Sequence, residues 1–184
     1  VAITKVMATQ IELKKFVSTP RTTGKYTTNL QDDGTTKDIY AYFGHEYSYR
    51  LNLMNTGTPA KNVVIYDTLE TGTATDGTSS QWKGVFDRVD VSAAQELGLN
   101  PQVWYSESEN PGDLGNSEWT NTAPSDPAKV KSIAVDFGDT RMKTSEDVYV
   151  EVFMTAPAAQ ESLVGKQTVN DFRITYNAAG EDGF

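Results

Sequence analysis

Alternation of apolar and polar residues with a period of two constrains this chain more than any other feature. It recurs in short runs along the chain, while helical spacing is scarce. Successive side chains of a strand point to opposite faces, so residues two apart share a face. Three runs then place one polar residue on an otherwise apolar face. In IELKKFV the shared face is Ile11, Leu13, Lys15 and Val17. In VVIYDTL it is Val63, Ile65, Asp67 and Leu69. In TVNDFRITY it is Asn170, Phe172, Ile174 and Tyr176. A lysine, an acid and an asparagine turned into one core are costly unless they pair. The same groups are also the set from which a Lys–Asn isopeptide crosslink is made.

The alternating runs predict strands near 9–17, 38–43, 46–55, 61–69, 82–90, 102–107, 129–137, 146–155 and 167–177. They are bounded by Gly, Asn, Asp, Thr and Pro, the residues of turns. About nine short strands with polar loops predict an all-β antiparallel sandwich rather than alternating strands and helices. The one helical candidate is SAAQELGL at 92–99. The stretch 106–127 is long for a connection in a compact domain and reads as an inserted loop region. The small, polar stretch 71–81 reads as a second exposed loop. No internal repeat of fixed period is present. Residues 1–178 therefore read as a single domain, and 179–184 as a linker to a following module.

Composition removes several classes of function. The formal net charge of -9 argues against nucleic acid, which is held chiefly by Lys and Arg against phosphates. It argues equally against anionic membrane surfaces. The chain has no cysteine, so disulfides, thiolate metal sites and cysteine nucleophiles are excluded. No apolar run approaches the roughly 18 residues of a spanning helix. The chain opens on Val1 with no basic-then-apolar leader, which reads as a mature or excised fragment.

The segment YSYRLNLMNTGTPAKNVVIYDTLETG at 47–72 and the later IAVDFGD, SEDVYVEVFMTAP and TVNDFRITYNA share an order and spacing. Together they resemble the repeat domains of Gram-positive cell-surface adhesins and fimbrial proteins, of the isopeptide-forming, collagen-adhesin-like β-sandwich kind. The resemblance covers 47–72 and 130–178; the stretch 73–128 carries none of it. It implies an immunoglobulin-like sandwich in an extracellular, cell-wall-anchored protein. Some members tie the first strand to the last by a self-formed Lys–Asn bond promoted by an acid. Carried onto this chain, the lysine is Lys15, the acid Asp67 and the asparagine Asn170. Family members often have proline after D-x-L, where this chain reads DTLE.

The chemistry asks for a neutral amine and a protonated acid, and burial in apolar surroundings favours both. The aromatic residues available to shield Lys15 are Phe172, Tyr176, Tyr47, Tyr49 and Trp82. Two arrangements stay open at this level: the crosslink, or a buried Lys–Asp pair with Asn170 bonded to backbone. Lys14 precedes Lys15, so a one-residue bulge would exchange them. Ile11 and Leu13 favour Lys15, and Asn170 is favoured over Asn177, which shares the face of Arg173. Glu151 is the second acid, but the alternation of Val148, Val150 and Val152 turns it outward.

Other constellations are weaker. His45 is the only histidine and reads as a turn residue ahead of a strand. DFG at 136–138 has no glycine-rich or catalytic loop to accompany it. Asp32, Asp33 and Asp38 lack the spacing of a calcium loop. Trp82, Trp104 and Trp119 read as core or loop anchors, with a sugar-stacking platform as the alternative. The expectation is a non-enzymatic stalk domain without cofactor or metal, partnered by neighbouring domains of the same surface protein. The alternative is a module that binds carbohydrate or host matrix protein through 71–81 or 106–127.

Overall fold

The structure is a computed structural model, and it describes residues 2, 4, 8–71 and 80–178. Among these lie eight strands: β1 (Ile11–Ser18), β2 (Glu46–Asn55), β3 (Lys61–Thr68), β4 (Val85–Asp90), β5 (Gln102–Ser106), β6 (Ser132–Asp136), β7 (Asp147–Thr155) and β8 (Arg173–Asn177). They form two four-stranded antiparallel sheets, ordered β1-β2-β7-β4 and β5-β6-β3-β8. The sheets enclose one core, the arrangement of a β-sandwich.

Alternation builds that core. β2 turns Tyr47, Tyr49, Leu51 and Leu53 inward, and β7 turns Val148, Val150, Val152 and Met154 inward. From the other sheet come Val63 and Ile65 of β3 and Ile133 and Val135 of β6. Each such side chain contributes about 1.5–3 kcal/mol by leaving water. β3 is buried on both faces, because Val64 and Tyr66 on its outer side pack with Trp119, Ala134, Trp104 and Leu114. The long 106–127 segment thus folds back over the second sheet. Tyr66 Oη accepts from the Leu114 backbone N–H at 3.0 Å, and Trp119 Nε1 donates to the Gly112 carbonyl at 3.2 Å.

Several expectations are corrected. The strand count is eight, not nine, because 38–43 forms no ladder. Its alternation is nonetheless real: Ile39, Ala41 and Phe43 are half-buried while Tyr40 and Tyr42 are exposed. Side-chain burial sets that pattern, and a ladder needs in addition a free backbone edge beside it. The helix is only α1 (Ser92–Glu96), without a side-chain cap, and is stopped at Gly98, whose φ is +81°. Leu13 and Tyr176 are 39% and 38% exposed although their faces point toward the core. Both lie on edge strands, where the opposite sheet no longer covers them. The loop at 71–81 falls largely on residues 72–79, and the linker on 179–184, outside the described residues.

The chain ahead of β1 is closed against the β2–β3 turn. Thr56 N–H donates to the Gln10 carbonyl at 2.8 Å and Thr58 N–H to the Ala8 carbonyl at 3.1 Å. Gly57 lies between them, where a Cβ would stand 2.0 Å from the Ala8 carbonyl oxygen and 2.5 Å from the Gln10 nitrogen. Gly57→Ala is therefore expected to lower unfolding free energy by about 1–3 kcal/mol in urea titration. An unmoved midpoint would mean that residues 8–10 do not close over the turn.

Candidate functional site: a buried Lys–Asp–Asn cluster

Register decides which lysine faces inward. β1 pairs with β2 without interruption from Ile11 to Ser18, so no bulge intervenes. Lys15 stands opposite Leu51, whose side chain is fully buried. Lys14 stands opposite Asn52 on the outer face and is exposed. Asp67 follows Ile65 on the inner face of β3, opposite Ile133 of β6. It is 0% exposed. The sequence places Asn170 within a strand at 167–177, but β8 begins only at Arg173, and Asn170 lies in the run that leads into it. Ser80 holds this run by accepting from Val169 N–H and donating to the Val169 carbonyl, both at 3.1 Å.

The three side chains converge on one oxygen. Lys15 Nζ donates to Asp67 Oδ2 at 2.9 Å, and Asn170 Nδ2 makes a long contact of 3.5 Å to the same atom. Lys15 thus reaches across from the edge strand of one sheet to the inner strand of the other. Its Nζ lies 4.6 Å from the centroid of the Tyr49 ring and 5.8 Å from that of Phe172. Tyr176 takes no part in that wall. The lysine side chain is 14% exposed, toward an open groove of about 920 Å³ that Asn170, Tyr49 and Trp82 also line.

Two oxygens of this cluster, Asp67 Oδ1 and Asn170 Oδ1, are buried without a hydrogen-bond partner among the described residues. An ionised carboxylate only accepts, so it cannot satisfy an amide oxygen, whereas a protonated one donates. Turning the Asn170 amide about Cβ–Cγ sets its oxygen, in place of its nitrogen, against Asp67 Oδ2. Burial pushes the Asp67 carboxyl above its ordinary range, opposed by Lys15 and by the Asn170 contact. Burial likewise pushes the Lys15 amine below its ordinary range, opposed by Asp67, Glu70 and Asp171. Both shifts favour the neutral amine and neutral acid over the ion pair. The arrangement offers a nucleophile, an acid and an amide in one largely buried corner at the edge of the groove.

A fourth group was not singled out in the sequence. Glu70 is 6% exposed and accepts from Tyr47 Oη at 2.5 Å, Tyr49 Oη at 2.7 Å and Gly84 N–H at 2.6 Å. Alternation from Leu69 turns Glu70 outward, but β3 has ended at Thr68 and the chain turns. The signal that points to it is the pair of tyrosines on the inner face of β2, whose hydroxyls need a buried acceptor.

The remaining candidates lie elsewhere. Glu151 pairs with Arg50 at 2.8 Å on the outer face of the first sheet. Asn177 stands opposite Lys61 at the far end of β8. His45 is exposed, with Nδ1 3.0 Å from the Phe43 carbonyl. Phe137 of DFG is a core residue and Asp136 accepts from Gly138 N–H at 2.8 Å, closing a turn. Asp33 accepts from Thr35 in a solvated turn. Among the described residues no three His, Cys, Asp or Glu are grouped to hold a metal ion. Trp119 is 8% exposed on the outside of the second sheet, with Trp104 packed beside it, whereas Trp82 meets Tyr47 at 5.7 Å. The three tryptophans do not share a surface.

Compared with protein-family models, with curated proteins and with solved structures, the chain matches none.

A buried pair is costly to break from one side only. In protein carrying Asn170→Ala, so that no amide remains to react, Asp67→Ala leaves Lys15 buried without its acid. It is expected to cost about 3–5 kcal/mol in chemical denaturation, and joint replacement by Lys15→Met and Asp67→Leu to recover most of it. Equal midpoints for the single and joint variants would mean that water, not Asp67, satisfies the amine.

Proposed function

We propose that this is a non-enzymatic stalk domain of a bacterial cell-surface adhesin or pilus-like protein, stiffened by a Lys15–Asn170 isopeptide bond. One observation carries the reading: Lys15, Asp67 and Asn170 meet inside the core, with the shifts that make the amine a nucleophile and the carboxyl an acid. The adhesin and cell-wall assignment rests on the sequence signature at 47–72 and 130–178. We read the two-sheet core as immunoglobulin-like on the same grounds.

The Lys15 proton passes to Asp67 within their hydrogen bond, leaving amine and acid. Protonated Asp67 donates to the Asn170 carbonyl oxygen and makes Cγ electrophilic. Lys15 Nζ attacks Cγ, the new N–C bond forms, and the Cγ–Nδ2 bond breaks as Nδ2 takes up a proton. Overall, an ammonium side chain, the Asp67 carboxylate and a primary amide become a secondary amide, a neutral Asp67 carboxyl and ammonia, so atoms and charge balance. The groove beside Lys15 gives the ammonia a way out. The fold supplies proximity, which is the largest part of what such a single-turnover reaction needs. Ligand binding through the 106–127 loop has less support, since its tryptophan is buried under its own loop.

Intact mass of the denatured protein tests this. Wild type is expected to be lighter than its sequence by one ammonia, and Lys15→Ala to have its sequence mass. Sequence mass in both would sink the crosslink.

A further inference from the structure

Glu70 stands where proline is frequent in the family that the sequence resembles, and its burial gives that departure a physical content. Its carboxylate takes three donors: two phenol O–H groups on Oε1 and the Gly84 backbone N–H on Oε2. That set is complementary to an anion. Burial and the charge of Glu70 hold both tyrosine hydroxyls protonated far above their ordinary range, so they remain donors. The site is built around the contact: a Cβ on residue 84 would stand 2.0 Å from Tyr47 Oη and 3.0 Å from Glu70 Oε2. Tyr47 and Tyr49 meet edge to face at 5.7 Å, and Trp82 closes on Tyr47. Tyr49, tethered by its hydroxyl to Glu70, is the ring beneath the Lys15 amine.

We propose that Glu70 is a positioning residue for the Lys15–Asn170 crosslink, fixing the Tyr49 wall and setting the pH range in which Lys15 and Asp67 can react. The inference rests on the crosslink reading above. The groups facing Lys15 are Asp67 on β3, Glu70 just beyond it, Asp171 ahead of β8 and the uncharged Tyr49 of β2. Those facing Glu70 are Tyr47 and Tyr49 of β2 and Lys15 of β1.

The reactive state holds one proton between the amine and the acid. With a second proton the amine is blocked; with none the acid cannot donate. The pair therefore reacts between its two macroscopic titration steps. A negative charge nearby raises both steps, because it favours every added proton. Glu70 exerts that effect where it is itself ionised, since burial pushes its carboxyl above the ordinary range, opposed by Tyr47, Tyr49, the Gly84 N–H and Lys15. Glu70 thus moves the reactive window to higher pH and keeps Lys15 charged below it. The tyrosine tether acts on the rate within the window and leaves its limits in place.

Two measurements separate charge from position. In the Asn170→Ala background, where Lys15 stays a free amine whatever the crosslink does, Lys15 is titrated by NMR with and without Glu70→Gln. The amine is expected to titrate at lower pH in the E70Q protein; an unchanged titration overturns the proposal. In protein with Asn170 intact, refolded at a series of pH values, the rate of ammonia loss is followed by mass. E70Q is expected to move both limbs of the profile downward. Tyr49→Phe is expected to slow the maximum several-fold with the limbs in place. Limbs unmoved in E70Q also overturn it. Should E70Q fail to fold, the joint variant Glu70→Leu, Tyr47→Phe and Tyr49→Phe serves instead, since it removes the charge together with the two hydroxyls that depend on it. The amine is expected to titrate at lower pH there too, and an unchanged titration overturns the proposal. A wild type that never loses ammonia defeats the crosslink reading, while the Lys15 titration still decides whether Glu70 governs its charge.

Discussion

The hydrogen bond from Lys15 to Asp67 crosses the gap between the two sheets, and the polar corner of the core is organised around it. Elsewhere the sheets meet chiefly through apolar side chains, aliphatic and aromatic, that need no charged partner. At this corner a cation and an acid have been taken out of water, which costs several kcal/mol per ion unless the geometry compensates. Three features lessen that cost. The pair can share its proton and become neutral, an aromatic face lies under the amine, and the amine keeps a narrow opening to the groove. The position matters mechanically as well. β1 is an edge strand with a ladder on one side only, and Leu13 on its inner face is partly uncovered. An edge strand whose inner face is partly uncovered is the one that carries the lysine.

Much of this corner was legible because strand periodicity is a strict geometric rule. Asp67 shares a face with Val63 and Ile65, and all three are 0% exposed. Lys15 follows from the same parity, and the uninterrupted β1–β2 register removes the ambiguity with Lys14. Parity says nothing of where an opposing sheet ends, so it points Leu13 and Tyr176 toward the core while both lie at its rim. Nor does it say whether a neighbouring backbone is free to pair, so Ile39, Ala41 and Phe43 alternate without becoming a strand. Alternation puts Asn170 on a strand, whereas it lies beside Asp67 in irregular backbone ahead of β8. Its run is held by side-chain bonds from Ser80, which leave no pattern in the sequence.

Glu70 shows a different limit. Its burial depends on the chain turning after Thr68 and on Gly84 arriving from another segment, so no local window contains the reason for it. Two inward tyrosines did contain half of the reason, since phenol hydroxyls in a core need acceptors. A buried network of this kind acts as a unit, and each member is costly if the others are removed. Carboxylate, two phenols and one backbone amide satisfy one another here. Their combined effect reaches Lys15 as a wall and as a charge.

The absence of cysteine sharpens the energetic argument. A crosslink stabilises chiefly by restricting the unfolded chain, and the effect grows with the loop it closes. A bond between residues 15 and 170 closes nearly the whole domain, which the chain-entropy relation puts at about 5 kcal/mol. That is comparable to the entire net stability of many domains. An amide, unlike a disulfide, is also indifferent to reductants. Before reaction the corner is a liability, since it buries ionisable groups that apolar residues would replace more cheaply. After the proposed reaction the lysine charge is gone, a neutral amide spans the two sheets, and Asp67 is left protonated beside it. A corner that is poor packing in the unreacted chain thus becomes the strongest connection in the domain. This ordering accounts for three polar side chains in a core that otherwise has good reason to exclude them.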